Sequence, residues 1–216
     1  MAAAGHRTAP ARLEAPVRVL VKDKEECQGD PLLEEFRCGG TSAAGEAAMI
    51  VENLLSGEAL PQTVAMLIED GGALVALCSI RLDGNAQIRA DADAPWFLRR
   101  LASNPYVNLV ARDDRYRNHV LADGRTRVGA AALRAGLEIV RADAAGAPMP
   151  TLWALVRRDN ELSRRVFRAF AFYPHDRSRE NQQDVFVRRA GRPLPAPPDA
   201  AAYRPLIAQR ARRLKA

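Results

Sequence analysis

Six consecutive residues, Arg125-Thr126-Arg127-Val128-Gly129-Ala130, lead from a polar loop into a stretch with helical apolar spacing, and the apolar run Val107-Asn108-Leu109-Val110-Ala111 precedes them. A strand that feeds a basic, glycine-containing turn into a helix builds a site for an anion. The N–H groups of a first helical turn have no partner inside the helix, and the helix dipole favours negative charge there. Gly129 removes a side chain where a phosphate must approach the backbone, while Arg125 and Arg127 add charge. Close packing of the helix on a sheet is the competing task for a glycine at this place. The chemistry indicated is the holding of a diphosphate.

A second set of polar residues follows. Asp159 or Asn160 can cap a basic helix running to about Phe170. In it Leu162, Val166 and Phe170 are spaced to face inward, and Arg164, Arg165 and Arg168 outward. Candidates to accept a proton are Glu69, Asp113, Asp114 and His119; for these, and for His175, a solvated surface place is the competing reading. Cys27, Cys38 and Cys78 are odd in number and show no metal spacing. They suggest neither a disulfide framework nor a metal site, and they fit a reducing cytoplasm.

The elements that must position these groups alternate along the chain. Val17–Val21 reads as a strand, Lys22–Gly29 as a charged turn, and Pro31–Gly40 as a short apolar patch ending in Cys38-Gly39-Gly40. Thr41 or Ser42 can cap a helix to about Leu55. Thr63–Ile68 and Ala73–Leu82 read as strands joined by the turn Glu69-Asp70-Gly71-Gly72. Asp83–Pro95 reads as a loop and Trp96–Leu101 as a helical turn covering the core with aromatics. Tyr106–Ala111 is a strand, Arg112–Gly124 a long loop, Gly129–Ala142 a helix with one apolar face, Thr151–Val156 a strand, and Asp184–Arg188 the last strand. The order predicts one mixed α/β domain with a central sheet and helices on both faces.

Length and charge agree with one domain. The 216 residues suffice for one core, and no stretch approaches the roughly 18 apolar residues of a membrane span. Residues 1–16 read as a flexible arm without a secretory apolar region, residues 17–191 as the domain, and 192–216 as a Pro-rich, basic tail. The net charge is +6, and residues 196–216 hold four of those charges: Arg204, Arg210, Arg212, Arg213 and Lys215 against Asp199. The body is nearly neutral, so nucleic-acid binding is disfavoured as the main activity.

Two segments resemble the GNAT superfamily of N-acetyltransferases. Arg112–Asn118 followed by Gly124–Leu133 is similar to the family's acyl-CoA segment, and Asn160–Phe172 to the segment after its fifth strand. Only Gly129 meets the usual loop pattern, and Tyr116-Arg117 lies about seven residues too far upstream, which implies an inserted loop. The resemblance implies a GNAT-like α/β domain with splayed middle strands. It implies acetyl-CoA as co-substrate and transfer of the acetyl group to a primary amine of a small molecule or peptide by direct attack in a ternary complex. It assigns Val110, Ala111 and Arg112 to the pantetheine arm, Arg125, Thr126, Arg127, Val128, Gly129 and Ala130 to the pyrophosphate, and Asn160 to the coenzyme arm. Phe167 stands where many members place a tyrosine that protonates the leaving thiolate, and Tyr173 is the substitute within a few residues. Residues 34–82, from Glu35-Phe36-Arg37-Cys38-Gly39 onward, resemble acetyltransferase toxins that modify charged tRNA, so that activity is one alternative. A coenzyme-binding regulator without turnover is another. Pairing of two copies is compatible with the sequence.

Overall fold

The structure, a computed structural model, describes residues 10–38, 44–177, 182–196 and 203–205. Its strands are β1 (Ala11–Arg12), β2 (Val17–Asp23), β3 (Thr63–Asp70), β4 (Ala73–Arg81), β5 (Tyr106–Arg112), β6 (His119–Val120), β7 (Leu152–Arg157), β8 (Tyr173–Arg177), β9 (Gln183–Arg188) and β10 (Tyr203–Pro205). Its α-helices are α1 (Lys24–Cys27), α2 (Pro31–Glu34), α3 (Ala44–Leu55), α4 (Ala86–Ala90), α5 (Trp96–Leu101), α6 (Val128–Asp143) and α7 (Glu161–Ala169). The main sheet runs β10-β2-β3-β4-β5-β7-β9-β8, and β1 pairs separately with β6.

The sheet is built around the β3–β4 hairpin. Gly71 and Gly72 turn it with φ of 57° and 92°, a region open to glycine. Both hairpin strands are buried almost throughout, so their apolar runs face a core on each side. One core lies under α6 and α7 and gathers Val19, Met66, Cys78, Leu133, Leu137, Phe167 and Phe186. The opposite core lies under α1–α3, with Cys27, Leu33, Leu54, Leu67 and Leu77. A third cluster on that same face, under α4 and α5, is centred on Tyr106 and Trp153, whose rings lie 4.4 Å apart.

Several segments differ from the sequence reading. The charged turn after β2 is helical because Asp23 and Glu26 form a reciprocal capping box. Asn85 caps the short helix α4 inside the expected Asp83–Pro95 loop. The caps proposed at Thr41 and Ser42 lie outside the described residues. Trp96 does not cover the core; it is 70% exposed, and Phe97 and Leu98 turn inward instead. The expected arm contributes β1, and Leu13 is buried, its N–H donating to the Val120 carbonyl at 2.9 Å. From the tail, Tyr203–Pro205 extend the sheet beside β2. The buried Arg188 donates to the carbonyls of Phe170, Arg192 and Pro193, which fixes the chain beyond β9.

Candidate active site

The sheet opens between two parallel strands. β5 and β7 share one rung, Tyr106 with Trp153, and then diverge toward Arg112 and Arg157. The cause lies in β5. Leu109 pairs with Ser79 but Val107 pairs with Ile80, so Asn108 is an extra residue in a bulge. Its effect shows in the side chains: Val107 and Val110 join the core beneath α6, while Leu109 and Ala111 join the core beneath α3. The bulged strand bends away from β7 and leaves a V-shaped notch.

The notch passes through the sheet. Val107, Val110, Val156 and Phe167 line it on the α6–α7 side, and Ala47, Ile50, Leu109, Ala111 and Leu155 on the α3 side. Cys38, Glu46, Asn108, Asp114, Arg157 and Asn160 add polar groups. The backbone of β5 supplies more. The Asp113 N–H donates to the Val75 carbonyl at 3.0 Å, in register with the β4–β5 ladder. Antiparallel alternation then commits Ala111 and Leu109 to β4 and turns the N–H and C=O of Val110 and Arg112 into the gap. The expectation for Ala111 is corrected on this ground, since its edge groups are spent on Leu77.

The notch continues into a basic pocket, with Arg112, Arg117 and Leu162 lining both. Arg127, Val128, Gly129, His119 and Arg165 complete this pocket with Pro10, Asn118 and Val166. Among the described residues, therefore, four arginines line the pocket at the first turn of α6 and no carboxylate does. Burial, with Arg117 and Arg127 nearby, pushes the Arg112 guanidinium below its ordinary value despite the help of Asp114. Crowded like charges of this kind are relieved by an anion. Arg127 is the N-cap of α6 and forms no side-chain cap. Its antiparallel bridge with Val120, made on one side by the Leu121 N–H and the Thr126 carbonyl, turns the Val128 N–H to the His119 carbonyl. The amides that meet no acceptor among the described residues are therefore those of Gly129 and Ala130.

Other expectations shift. The N–H groups of Arg125 and Thr126 both donate to Asp123 Oδ1 at 2.8 Å, so the free amides begin later than the sequence suggests. Gly129 is not a packing glycine: a Cβ there would meet no atom within 4 Å. Gly136 does that work, since its Cβ would fall 2.7 Å from Ile80 Cδ1 and 2.8 Å from Cys78 Sγ. Asn160 Oδ1 accepts from the Ser163 N–H at 3.1 Å, and its side-chain N meets no acceptor among the described residues at the notch it lines. On α7, Phe167 is buried, Leu162 is exposed, and Arg164 turns inward to pair with Asp184.

The proton-handling candidates separate clearly. Tyr173 pairs with Val187 on the edge strand β8, two strands outside the notch, at the level of the closed rung, and is exposed. It is in no position to protonate a group in the gap. Glu69 binds Arg18 and the Gly72 N–H and belongs to the hairpin. Asp113 is buried and accepts from the Arg37 N–H and from both the backbone and side chain of Arg115. Burial alone would raise its carboxyl, but these hydrogen bonds hold it below the usual range, which makes it a turn-forming group. His119 stacks edge-on against Tyr116 at 5.1 Å and lines the basic pocket, and His175 meets Phe97 at 5.9 Å on the outer surface. Asp114 does line the notch. Glu46, Arg157 and Asn108 were missed by sequence reading. Glu46 sits on an alanine-rich helix with no motif around it, and the extra residue in β5 leaves no mark in composition.

No protein-family model matches the chain, and no curated protein matches it in sequence. Solved structures match in fold. A structure described as a bacterial toxin is 11% identical with a TM-score of 0.52, covering 82% of this chain and 92% of that one. A Bordetella pertussis protein described as of the GnaT family of acetyltransferases is 13% identical with a TM-score of 0.50, covering 79% and 95%. The PaiA N-acetyltransferase of Thermoplasma acidophilum, solved with coenzyme A, is 8% identical with a TM-score of 0.48, covering 79% and 98%. The chain has the GNAT fold.

Proposed function

We propose that this protein is an acetyl-CoA-dependent N-acetyltransferase acting on a primary amine. One observation carries the reading: the free edge of β5 and the free amides of α6 line a single continuous groove. A coenzyme with a charged diphosphate and an extended amide-bearing arm needs these two features in this order.

The diphosphate lies on the amides of Gly129 and Ala130, with Arg112, Arg117 and Arg127 as counter-charges. The pantetheine arm pairs with the free groups of Val110 and Arg112, and the Asn160 amide assists. The thioester then rests in the gap near the Asn108 bulge, and the acceptor enters from the α3 side. A neutral amine attacks the carbonyl directly; positioning of the two reactants supplies much of the rate. A β5 N–H turned into the gap polarises the thioester oxygen. Phe167 has no proton to give and Tyr173 is remote, so water protonates the departing thiolate.

The test has two parts. Coenzyme A should raise the melting temperature, and acetyl-CoA should release free thiol with at least one member of a primary-amine panel. Stabilisation without thiol release from any amine would leave a coenzyme-binding regulator. The likeness to a bacterial toxin is one of fold and leaves the acceptor open; charged tRNA belongs in the panel for that reason.

A further inference from the structure

Glu46 stands apart from the other carboxylates around the gap. It projects from α3 into the notch and is half exposed. Among the described residues its ion-pair partner is Arg157, at 3.9 Å, the outer limit for such a pair. Arg157 in turn is held more closely by Asp159, at 3.2 and 3.3 Å. Glu46 therefore has room for a second cation. Asp114, the other acid lining the notch, lies beside Arg112 and supports that guanidinium. Asp113 is consumed by its turn.

The placement matters as much as the freedom. The four arginines cluster at the basic pocket, on the α6–α7 side. Glu46 is on the opposite side of the sheet, where it meets Arg157 beside the wall of Ala47, Ile50 and Leu155. One mouth of the notch thus attracts an anion, and the other offers a carboxylate above an apolar wall. Tyr106, buried at the closed end, is no rival as a proton acceptor. Burial first, and Glu46 next, push its phenol up to about 12.

We infer that Glu46 anchors the ammonium of the acceptor at the α3-side mouth and takes its proton, so that the acceptor is a cationic alkyl amine rather than a neutral one. This rests on the acetyl-transfer reading above. The ammonium gives one proton to the Glu46 carboxylate. The freed nitrogen lone pair attacks the thioester carbonyl carbon, the C–N bond forms and the C–S bond breaks. Sulfur leaves with the electron pair. The surplus N–H proton of the new amide reaches it through water, giving the free thiol, and Glu46 returns its proton to solvent. Arg157 is a positioning residue that keeps the carboxylate at the mouth.

The test uses the full chain, acetyl-CoA and two acceptors: the alkyl primary amine turned over fastest, and an aromatic primary amine that is already neutral at the assay pH. Glu46→Gln should lower kcat/KM for the alkyl amine by at least about a hundredfold, the low end of general-base effects. The aromatic amine should lose no more than about twofold, and the shift in melting temperature with coenzyme A should stay as in the parent. Glu46→Asp should recover part of the alkyl-amine rate. Equal losses with both amines would make Glu46 a structural residue and overturn the inference, as would no loss at all. If the parent protein releases thiol with no amine, the acetyl-transfer reading fails first, and the role of Glu46 fails with it.

Discussion

Replacing Gly129 by alanine separates folding from coenzyme binding. Gly129 is the second residue of α6, and a Cβ there meets nothing within 4 Å. It does not adopt a positive φ. Alanine is favoured over glycine in a helix by about 0.5–1 kcal/mol. For a chain of this size the gain corresponds to a rise of about 1–4 °C in Tm. Gly129 lines the basic pocket, so the same methyl adds bulk to its wall beside the free amides. A diphosphate seated there would lose at least one charge-assisted hydrogen bond, worth about 1.5–3 kcal/mol. Coenzyme A should therefore bind about ten- to a hundredfold more weakly. Thermal melts of the unliganded variant read the first effect, and titration calorimetry with coenzyme A reads the second. A variant that melts higher and binds coenzyme A as tightly as the parent would refute the cradle. A variant that melts lower without ligand would refute the open space above Gly129.

Four further outcomes follow from the packing and the charges. Gly136→Ala should lower stability by about 1–3 kcal/mol, read as a shift of the urea midpoint, because its methyl would overlap Ile80, Cys78 and Met66. Burial would raise the Asp184 carboxyl, but Arg164 and Arg158 outweigh that and hold it below its ordinary value. A depressed carboxyl contributes stability above the unfolded value near pH 4, and this contribution is lost as pH falls through the folded value. The parent Tm should thus drop steeply below about pH 4, and Asp184→Asn should flatten part of that drop. Arg188→Ala removes a buried donor to the Phe170, Arg192 and Pro193 carbonyls. It should cost about 2–4 kcal/mol and make the Arg189–Ala190 peptide bond accessible to trypsin. Tyr173→Phe should leave thiol release unchanged, because Tyr173 lies outside the notch.

Much of the fold was legible because it rests on periodicity and turn chemistry. The Glu69–Gly72 turn, the apolar face of α6 and a cap at Asp159 or Asn160 are local patterns; the structure narrows the turn to Gly71-Gly72 and the cap to Asn160. The alignment of a free β5 edge with the α6 N-terminus was implied by the resemblance alone, and at the loop the amides of Arg125 and Thr126 are spent on Asp123 and that of Val128 on His119. What stayed hidden was non-local. Whether Ala111 or Val110 faces the gap depends on ladder phase, which a neighbouring strand sets. Tyr173 looked near the site in sequence, yet β8 folds to the sheet edge and carries it away. Asp123 reads as an ordinary loop acid until its carboxylate is seen holding two amides and the Thr126 hydroxyl. Arg164 reads as a surface cation until β9 brings Asp184 beneath it.

The gap between β5 and β7 is closed by a single rung at Tyr106 and Trp153 and widens toward Arg112 and Arg157. An inhibitor that joins a coenzyme-like half to an amine-like half would need to span both sides of the sheet at once. A bulky linked molecule cannot be threaded tip-first through a slit; it must slide in sideways from the wide end. Compounds of this type with a slim, unbranched linker at the crossing should associate faster than those with branches there, whatever the quality of their two ends.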